Sequence, residues 1–99
     1  MQVLVQSIHF DADVKLISFI EEKMNKLSQF HDRITRGEVF LRLDKSDVKE
    51  NKITEIKLSI PGTDLFARKQ CSSFEEATDE ALDALRRQIE KHRTKTMKL

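Results

Sequence analysis

The chain has 99 residues, a formal net charge of +1, and 35% charged against 38% hydrophobic residues. This length suits one domain, and the hydrophobic content is too high for a disordered chain. The net charge is too small to indicate nucleic-acid binding by itself. A single cysteine excludes a disulfide framework, and no signal peptide or run of about eighteen apolar residues is present. We therefore predict one cytoplasmic domain over residues 1–99, with residues 96–99 as a flexible tail.

The first predicted element is a strand over residues 2–8, where Val3 and Val5 alternate with glutamines. Such alternation is typical of a strand with one buried face. The connection that follows offers Asp11 or Asp13 as a helix N-cap, because a short carboxylate side chain accepts hydrogen bonds from the first helical amides.

The second element is an amphipathic helix over residues 13–29. Its apolar side chains recur at three- and four-residue steps, with Phe19 at the border of the stripe. The stripe consists of Leu16, Ile17, Ile20, Met24 and Leu27. Just after the helix, Phe30 and Ile34 are expected to pack against the edge of the core.

Three further strands are predicted over residues 36–44, 52–60 and 64–71, separated by a polar, mobile loop and by a turn at Pro61-Gly62. Tight primed hairpin turns need a positive φ where proline stands, so we expect a slightly longer connection there. Lys69 interrupts the inward apolar run of the last strand, which places that strand at an edge of the sheet.

Alternation in these strands predicts two different faces of one sheet. The inward side chains are Val39, Leu41, Leu43, Ile56, Leu58, Ile60, Leu65 and Ala67. The outward face carries two phenyl rings, Phe40 and Phe66, among the cations Arg42, Lys57 and Arg68. We expect this outward face to remain open to solvent.

The last predicted element is a long helix from Ser73 to about Lys95. Ser73 with Glu76 three residues later is the capping-box pattern. The first half is acidic and the second half basic, and at roughly 100° per residue four cations fall into one stripe. This basic stripe consists of Arg87, Lys91, Lys95 and Lys98. The charge order also complements the helix dipole, and Asp83–Arg87 is a stabilising i,i+4 pair. The stripe can therefore also be interpreted as an ordinary solvated helix face.

The element order is β-α-β-β-β-α, an α+β fold. The most economical packing is a four-stranded mixed sheet in the order 1-2-3-4, with both helices on one face. Strands 1 and 2, joined through a helix, should be parallel with a right-handed crossover, and the remaining pairs antiparallel.

No catalytic constellation is present, so the sequence does not predict an enzyme. The nucleotide-binding, hydrolase and zinc-protease motifs are missing, and no histidine is placed beside Cys71. The acidic residues near position 47 do not have the spacing of a calcium loop. No metal, cofactor or small-molecule substrate is therefore expected.

Three segments resemble a known family. They are the opening MQVLVQ, KLSQFHDRI at residues 26–34, and ATDEALDALRRQIEKHRTK at residues 77–95. Together they resemble the short form of the ribosome hibernation promoting factor and ribosome-associated inhibitor family, also called the sigma-54 modulation protein family. The resemblance implies a fold similar to a double-stranded-RNA-binding domain. It also implies binding of the small ribosomal subunit in the mRNA and tRNA channel, which silences translation by occlusion in stress or stationary phase.

The resemblance also implies which side chains face ribosomal RNA. They are Lys23, Lys26, Arg33, Arg87, Lys91, Arg93 and Lys95. Two positions depart from the family pattern: Ala84 stands where relatives often have lysine, and Glu75 where an aromatic residue is common. The C-terminal dimerisation domain of the long form is missing, so the isolated protein is expected to be a ribosome-associated monomer. The alternative is a protein-interaction module, such as a modulator of transcription, anchored by Phe40 and Phe66.

Overall fold

The computed structural model describes the backbone of residues 1–97 and the side chains of residues 1–93. The elements, in chain order, are β1 (Gln2–Ser7), α1 (Val14–Phe30), β2 (Arg36–Leu43), β3 (Lys52–Ile60), β4 (Thr63–Cys71) and α2 (Phe74–Met97). This confirms the predicted order. The last helix reaches the first two residues of the predicted tail, and residues 98–99 lie outside the described part. Within residues 1–97, neither helix has the length and apolar character needed to cross a bilayer.

The four strands form one mixed sheet in the order β1-β2-β3-β4, as predicted. Strand β1 pairs with β2 in parallel, and the other two pairs are antiparallel. One inward row runs across all four strands through Val5, Val39, Ile56 and Ala67. The strand order places β4 at an edge of the sheet, as predicted from Lys69.

Both helices cover the inward face of the sheet and share one hydrophobic core with it. Ile20 and Met24 of α1, Leu82 and Leu85 of α2, and Ile56 of β3 are all fully buried in that core. The start of α1 is fixed by Asp13, whose carboxylate accepts a hydrogen bond from the Lys15 amide at 3.1 Å. Asp13 is therefore the N-cap among the two candidates.

The hairpin between β3 and β4 is tighter than predicted. Ile60 pairs directly with Thr63, so Pro61 and Gly62 alone form the loop, and the expectation of a longer connection is wrong. Gly62 has a φ of 87° and Pro61 has no positive φ. This is the pattern of a type II turn, in which proline fixes the first central position and glycine adopts the left-handed second one.

The outward face of the sheet is open, as expected, but it is not uniformly polar. Ile53 lies on this face and is nevertheless only 5% exposed. Glu55, two residues further along β3 on the same face, forms ion pairs with Arg42 at 2.8 Å and with Arg68 at 3.3 Å. This three-residue network spans β2, β3 and β4. Phe40 is half-buried and Phe66 is exposed.

Two buried threonine hydroxyls join the sheet to α2. The Oγ1 atoms of Thr54 in β3 and Thr78 in α2 lie 3.3 Å apart, and both residues are fully buried. A hydroxyl removed from water needs a partner, because an unsatisfied buried polar group costs about 1–3 kcal/mol. Each threonine satisfies the other.

Candidate nucleic-acid interface

The first turn of α2 is capped as the sequence predicts. Ser73 Oγ accepts a hydrogen bond from the Glu76 amide at 3.1 Å, and the helix begins at the next residue, Phe74. The predicted i,i+4 pair between Asp83 and Arg87 is not formed. Asp83 instead accepts Arg86 at 2.7 Å, three residues on. The guanidinium of Arg87 is therefore not neutralised by the partner that the solvated-face interpretation gave it.

The contacts of α2 define two flanks on either side of its buried face. Toward α1, Asp79 pairs with Lys23 at 3.4 Å. Toward β4, Glu80 accepts a hydrogen bond from the Cys71 thiol at 3.3 Å, and the amide of Gln88 donates to the Phe66 carbonyl at 2.8 Å. We call these the α1 flank and the β4 flank.

Two cations of the basic stripe belong to the β4 flank. Arg87 follows Glu80 by two helical turns, and Lys91 follows one turn later. Both side chains are exposed, and neither has an ion-pair partner among the residues whose side chains the structure describes. The side chain of Lys95, and Lys98 entirely, lie outside the described residues. The part of the stripe that is described is thus a pair of unneutralised cations.

The cations predicted on α1 differ from each other. Lys23 is half-buried, pairs with Asp79, and holds its ammonium 5.4 Å from the centre of the Phe19 ring. Lys26 is exposed, one turn later, with no ion pair recorded along residues 1–93. Lys23 therefore contributes to the contact between the helices, whereas Lys26 presents its charge to solvent.

Arg33 and Arg93 both line one surface groove. They line a groove of about 370 Å³ formed by residues 30–34 after α1, by residues 60–61 at the β3–β4 turn, and by Ile89 and His92 of α2. We call this the terminal groove. Arg93 also approaches Glu90 at 3.8 Å, but both side chains are more than half exposed, so this pair is weak.

One residue of the terminal groove overturns an expectation. Ile34 is buried at 3% exposure, as predicted, but Phe30 is 74% exposed and the expectation that it packs against the core is wrong. Phe30 is the last residue of α1, and the apolar stripe of the helix already ends at Leu27. The chain turns away at His31, which leaves the ring at the rim of the groove.

The predicted site residues are thus distributed over two regions. Arg87 and Lys91 lie on the β4 flank, whereas Arg33 and Arg93 line the terminal groove, Arg93 from the α1 flank. Arg93 belongs there because it follows Asp79 by fourteen residues, about four turns. Sequence reasoning missed the terminal groove, although all of its lining residues except Ile60 and Pro61 fall within two of the three segments that carry the family resemblance.

Cys71 lies near two carboxylates but is not activated by them. Desolvation, and then the hydrogen bond to Glu80, raise the pKa of the thiol from 9.0 to about 12. The ligand atoms of Cys71, Glu76 and Glu80 lie within 4.8 Å of one another. A metal ion or a nucleophilic reaction requires the thiolate, and this environment disfavours it.

The sequence matches the family model described as Sigma 54 modulation protein / S30EA ribosomal protein over residues 3–97. A Pseudomonas putida protein named ribosome hibernation promoting factor is 29% identical over 99 residues, which cover 100% of this chain and 93% of that protein. A Deinococcus radiodurans protein named ribosome hibernation promotion factor is 32% identical over 82 residues, 81% of this chain and 42% of that longer protein.

Two solved structures share the fold. A ribosomal subunit interface protein from Coxiella burnetii superposes with a TM-score of 0.84 at 18% identity, covering 95% of this chain and 99% of that one. The N-terminal domain of Thermus thermophilus Protein Y gives a TM-score of 0.75 at 20% identity, covering 93% and 99%. At these identities the likeness establishes the shared architecture alone.

Proposed function

Because the chain belongs to the sigma 54 modulation protein and S30EA ribosomal protein family, we propose that it is a ribosome hibernation factor. In this proposal it binds the small ribosomal subunit in the channel that mRNA and tRNA use, and it silences translation during stress or stationary phase. The silencing is steric and has no chemical step. One copy of the chain acts in the cytoplasm, bound to ribosomes.

The observation that carries the proposal is the pair of unneutralised cations on the β4 flank of α2. Arg87 and Lys91 stand on a rigid helix, one turn apart, without acidic partners among the residues with described side chains. Because a phosphate backbone is recognised largely through such cations, this pair suits RNA better than it suits a protein surface. Lys26 of α1, and Arg33 and Arg93 at the terminal groove, supply further exposed cations.

The mechanism follows from the kind of contact. Helical RNA is recognised mainly by shape and by contacts to phosphate and 2′-hydroxyl groups, so binding depends on the path of the ribosomal backbone more than on base sequence. A folded domain held in the channel by phosphate contacts excludes other occupants by volume alone. The proposal therefore predicts competition with mRNA and tRNA, together with strong salt dependence.

The alternative function, a protein-interaction module on the open sheet face, receives less support. Its two most exposed apolar residues, Leu4 and Phe66, lie in the same cross-strand row but at opposite edges of the sheet. Glu38 and Lys57 stand between them in that row. An interface core needs a contiguous apolar patch, and charges divide this one.

The test compares neighbouring arginines. Arg86 is neutralised by Asp83, whereas Arg87 has no such partner, so Arg86→Gln is a matched control for Arg87→Gln. Wild type, Arg86→Gln, Arg87→Gln and the double variant Arg87→Gln/Lys91→Gln are titrated with purified small subunits at several salt concentrations. Each lost phosphate contact should reduce the slope of log affinity against log salt by about 0.7–0.9.

We expect Arg87→Gln to lower both affinity and slope, the double variant to lower them further, and Arg86→Gln to change little. If all four proteins bind with equal affinities and slopes, the assignment of α2 to RNA is wrong. Addition of mRNA and initiator tRNA should displace the bound protein. Binding that survives saturating mRNA and tRNA would refute the location in the channel.

A further inference from the structure

Phe30 has the most exposed ring of the six phenylalanines. Its ring is 74% exposed at the end of α1, whereas Ile34, four residues later, is buried in the core. Ligand grooves are lined mainly by apolar and aromatic side chains, with a few polar groups that orient the ligand. Phe30 borders the terminal groove, so the contents of that groove decide what the ring contacts.

The terminal groove combines an apolar floor with a cationic rim. Ile34 and Ile89 are almost fully buried beneath it, at 3% and 6% exposure. Arg33 and Arg93 come to the rim from two different elements, with Asp32 and Glu90 as the nearby acids. The volume, about 370 Å³, suits one planar ring system.

We propose that the terminal groove holds one unstacked nucleotide of ribosomal RNA, with its base on Phe30 and its phosphate between Arg33 and Arg93. The inference rests on the proposed function and adds a defined contact to it. The exposed ring of Phe30 suits a flat apolar group, and the two arginines suit an anion beside it. A nucleotide carries both, as its base and its phosphate. Single-stranded RNA is bound in this way, by stacking of splayed bases on aromatic rings and by cations along the backbone.

The groove and the β4 flank would then have separate roles. Arg87 and Lys91 lie on the other side of α2 and contact phosphates only, which supplies affinity without position. The groove accepts a base only where the ribosomal strand is already unstacked. The terminal groove therefore adds one base contact and its share of the affinity, and the β4 flank holds the protein in the channel through phosphates.

The test uses two exposed phenylalanines. Phe30 borders the groove, whereas Phe66, 53% exposed, lies on the open sheet face and provides a matched control. Small subunits are saturated with wild type, Phe30→Ala, Phe30→Trp or Phe66→Ala, and base reactivity along the ribosomal RNA is mapped with dimethyl sulfate and a carbodiimide. Affinities are measured in parallel, and thermal melts verify that each variant is folded.

We expect wild type to alter the reactivity of a small set of bases, and Phe30→Ala to lose the change at one unpaired base while the rest persists. Affinity should fall about 5- to 150-fold, the range for removing a stacked base, and Phe30→Trp should restore both. Phe66→Ala should match wild type.

Three results would overturn the inference. If wild type binds and protects RNA but Phe30→Ala gives the same map and affinity, the groove is wrong and the proposed function stands. If Phe30→Ala weakens binding without changing any base, the ring contacts a ribosomal protein. If wild type binds but alters no base, the groove is wrong and the proposed function stands, because phosphate contacts leave base reactivity unchanged; the proposed function fails only if wild type does not bind small subunits.

Discussion

Replacing the two buried threonines with valine, singly and together, tests whether the hydroxyl pair between β3 and α2 is a matched unit. Thr54 and Thr78 are both fully buried, and their Oγ1 atoms are 3.3 Å apart. Valine keeps the shape of the side chain and removes only the hydroxyl. Each single substitution therefore strands the remaining hydroxyl, whereas the double substitution leaves no polar group behind.

The two single costs should differ, because the stranded hydroxyls have different surroundings. With Thr54→Val, the remaining hydroxyl is on a helix and can turn to a backbone carbonyl of the preceding turn, so we expect a loss of about 1 kcal/mol. With Thr78→Val, the remaining hydroxyl is on a central strand whose backbone groups are already paired, and the loss should be about 2–3 kcal/mol. The double variant should lose about 0–1 kcal/mol, since replacing both partners is nearly neutral.

Urea denaturation of the four proteins at one pH measures these free energies of unfolding. The coupling energy, the double cost minus both single costs, should be negative by about 2–4 kcal/mol. Equal m-values would show that the unfolded states are comparable. Additive single costs would refute the reasoning, because they would mean that water or the backbone satisfies each hydroxyl without the other.

Three further predictions concern the core, the turn and the thiol. Ile20→Ala and Leu85→Ala, at fully buried positions, should each destabilise by about 2–5 kcal/mol in urea melts, and an unchanged midpoint would contradict the core assignment. Gly62→Ala, at φ 87° with no atom within 4 Å of the new Cβ, should cost about 1–2 kcal/mol from backbone strain alone. Burial raises the pKa of the Cys71 thiol to about 12. The protonated thiol therefore contributes to the free energy of unfolding below pH 9, and this contribution is lost as pH rises toward 12. Iodoacetamide should therefore label native protein far more slowly than unfolded protein at pH 9.

The fold was predictable because the periodicities of its elements agree with one another. Alternation in β2 and β3 identified Val39 and Ile56 as inward, and the register pairs them directly. A lysine in the inward run placed β4 at the edge, because a buried central strand would not accept that charge. The predicted length of the β3–β4 connection was wrong for a local reason: a primed turn excludes proline, but a type II turn also closes a two-residue loop, and Pro61 and Gly62 suit its two central positions.

The charge pairing at the candidate interface was less predictable, because it is decided by tertiary contacts. Sequence spacing joined Asp83 to Arg87, but the side chain reaches Arg86 instead. The family resemblance implied that Lys23 faces RNA, and the structure also pairs its ammonium with Asp79, 56 positions away in the sequence. Phe30 follows the helical apolar pattern closely enough to suggest burial, and only the direction of the chain at His31 shows that it is outside the core.

The parallel pairing of β1 with β2 has a consequence for the order in which the molecule assembles. Strands β2, β3 and β4 follow one another through short connections, and α2 packs directly on β3 and β4, so residues 36–97 can form their contacts early. Strand β1 reaches its place only after α1 has crossed over, which closes a longer loop. We expect the amides of Gln2–Ser7 to exchange with deuterium before those of β3. The N-terminal strand is thus the last part to fold and the first to open.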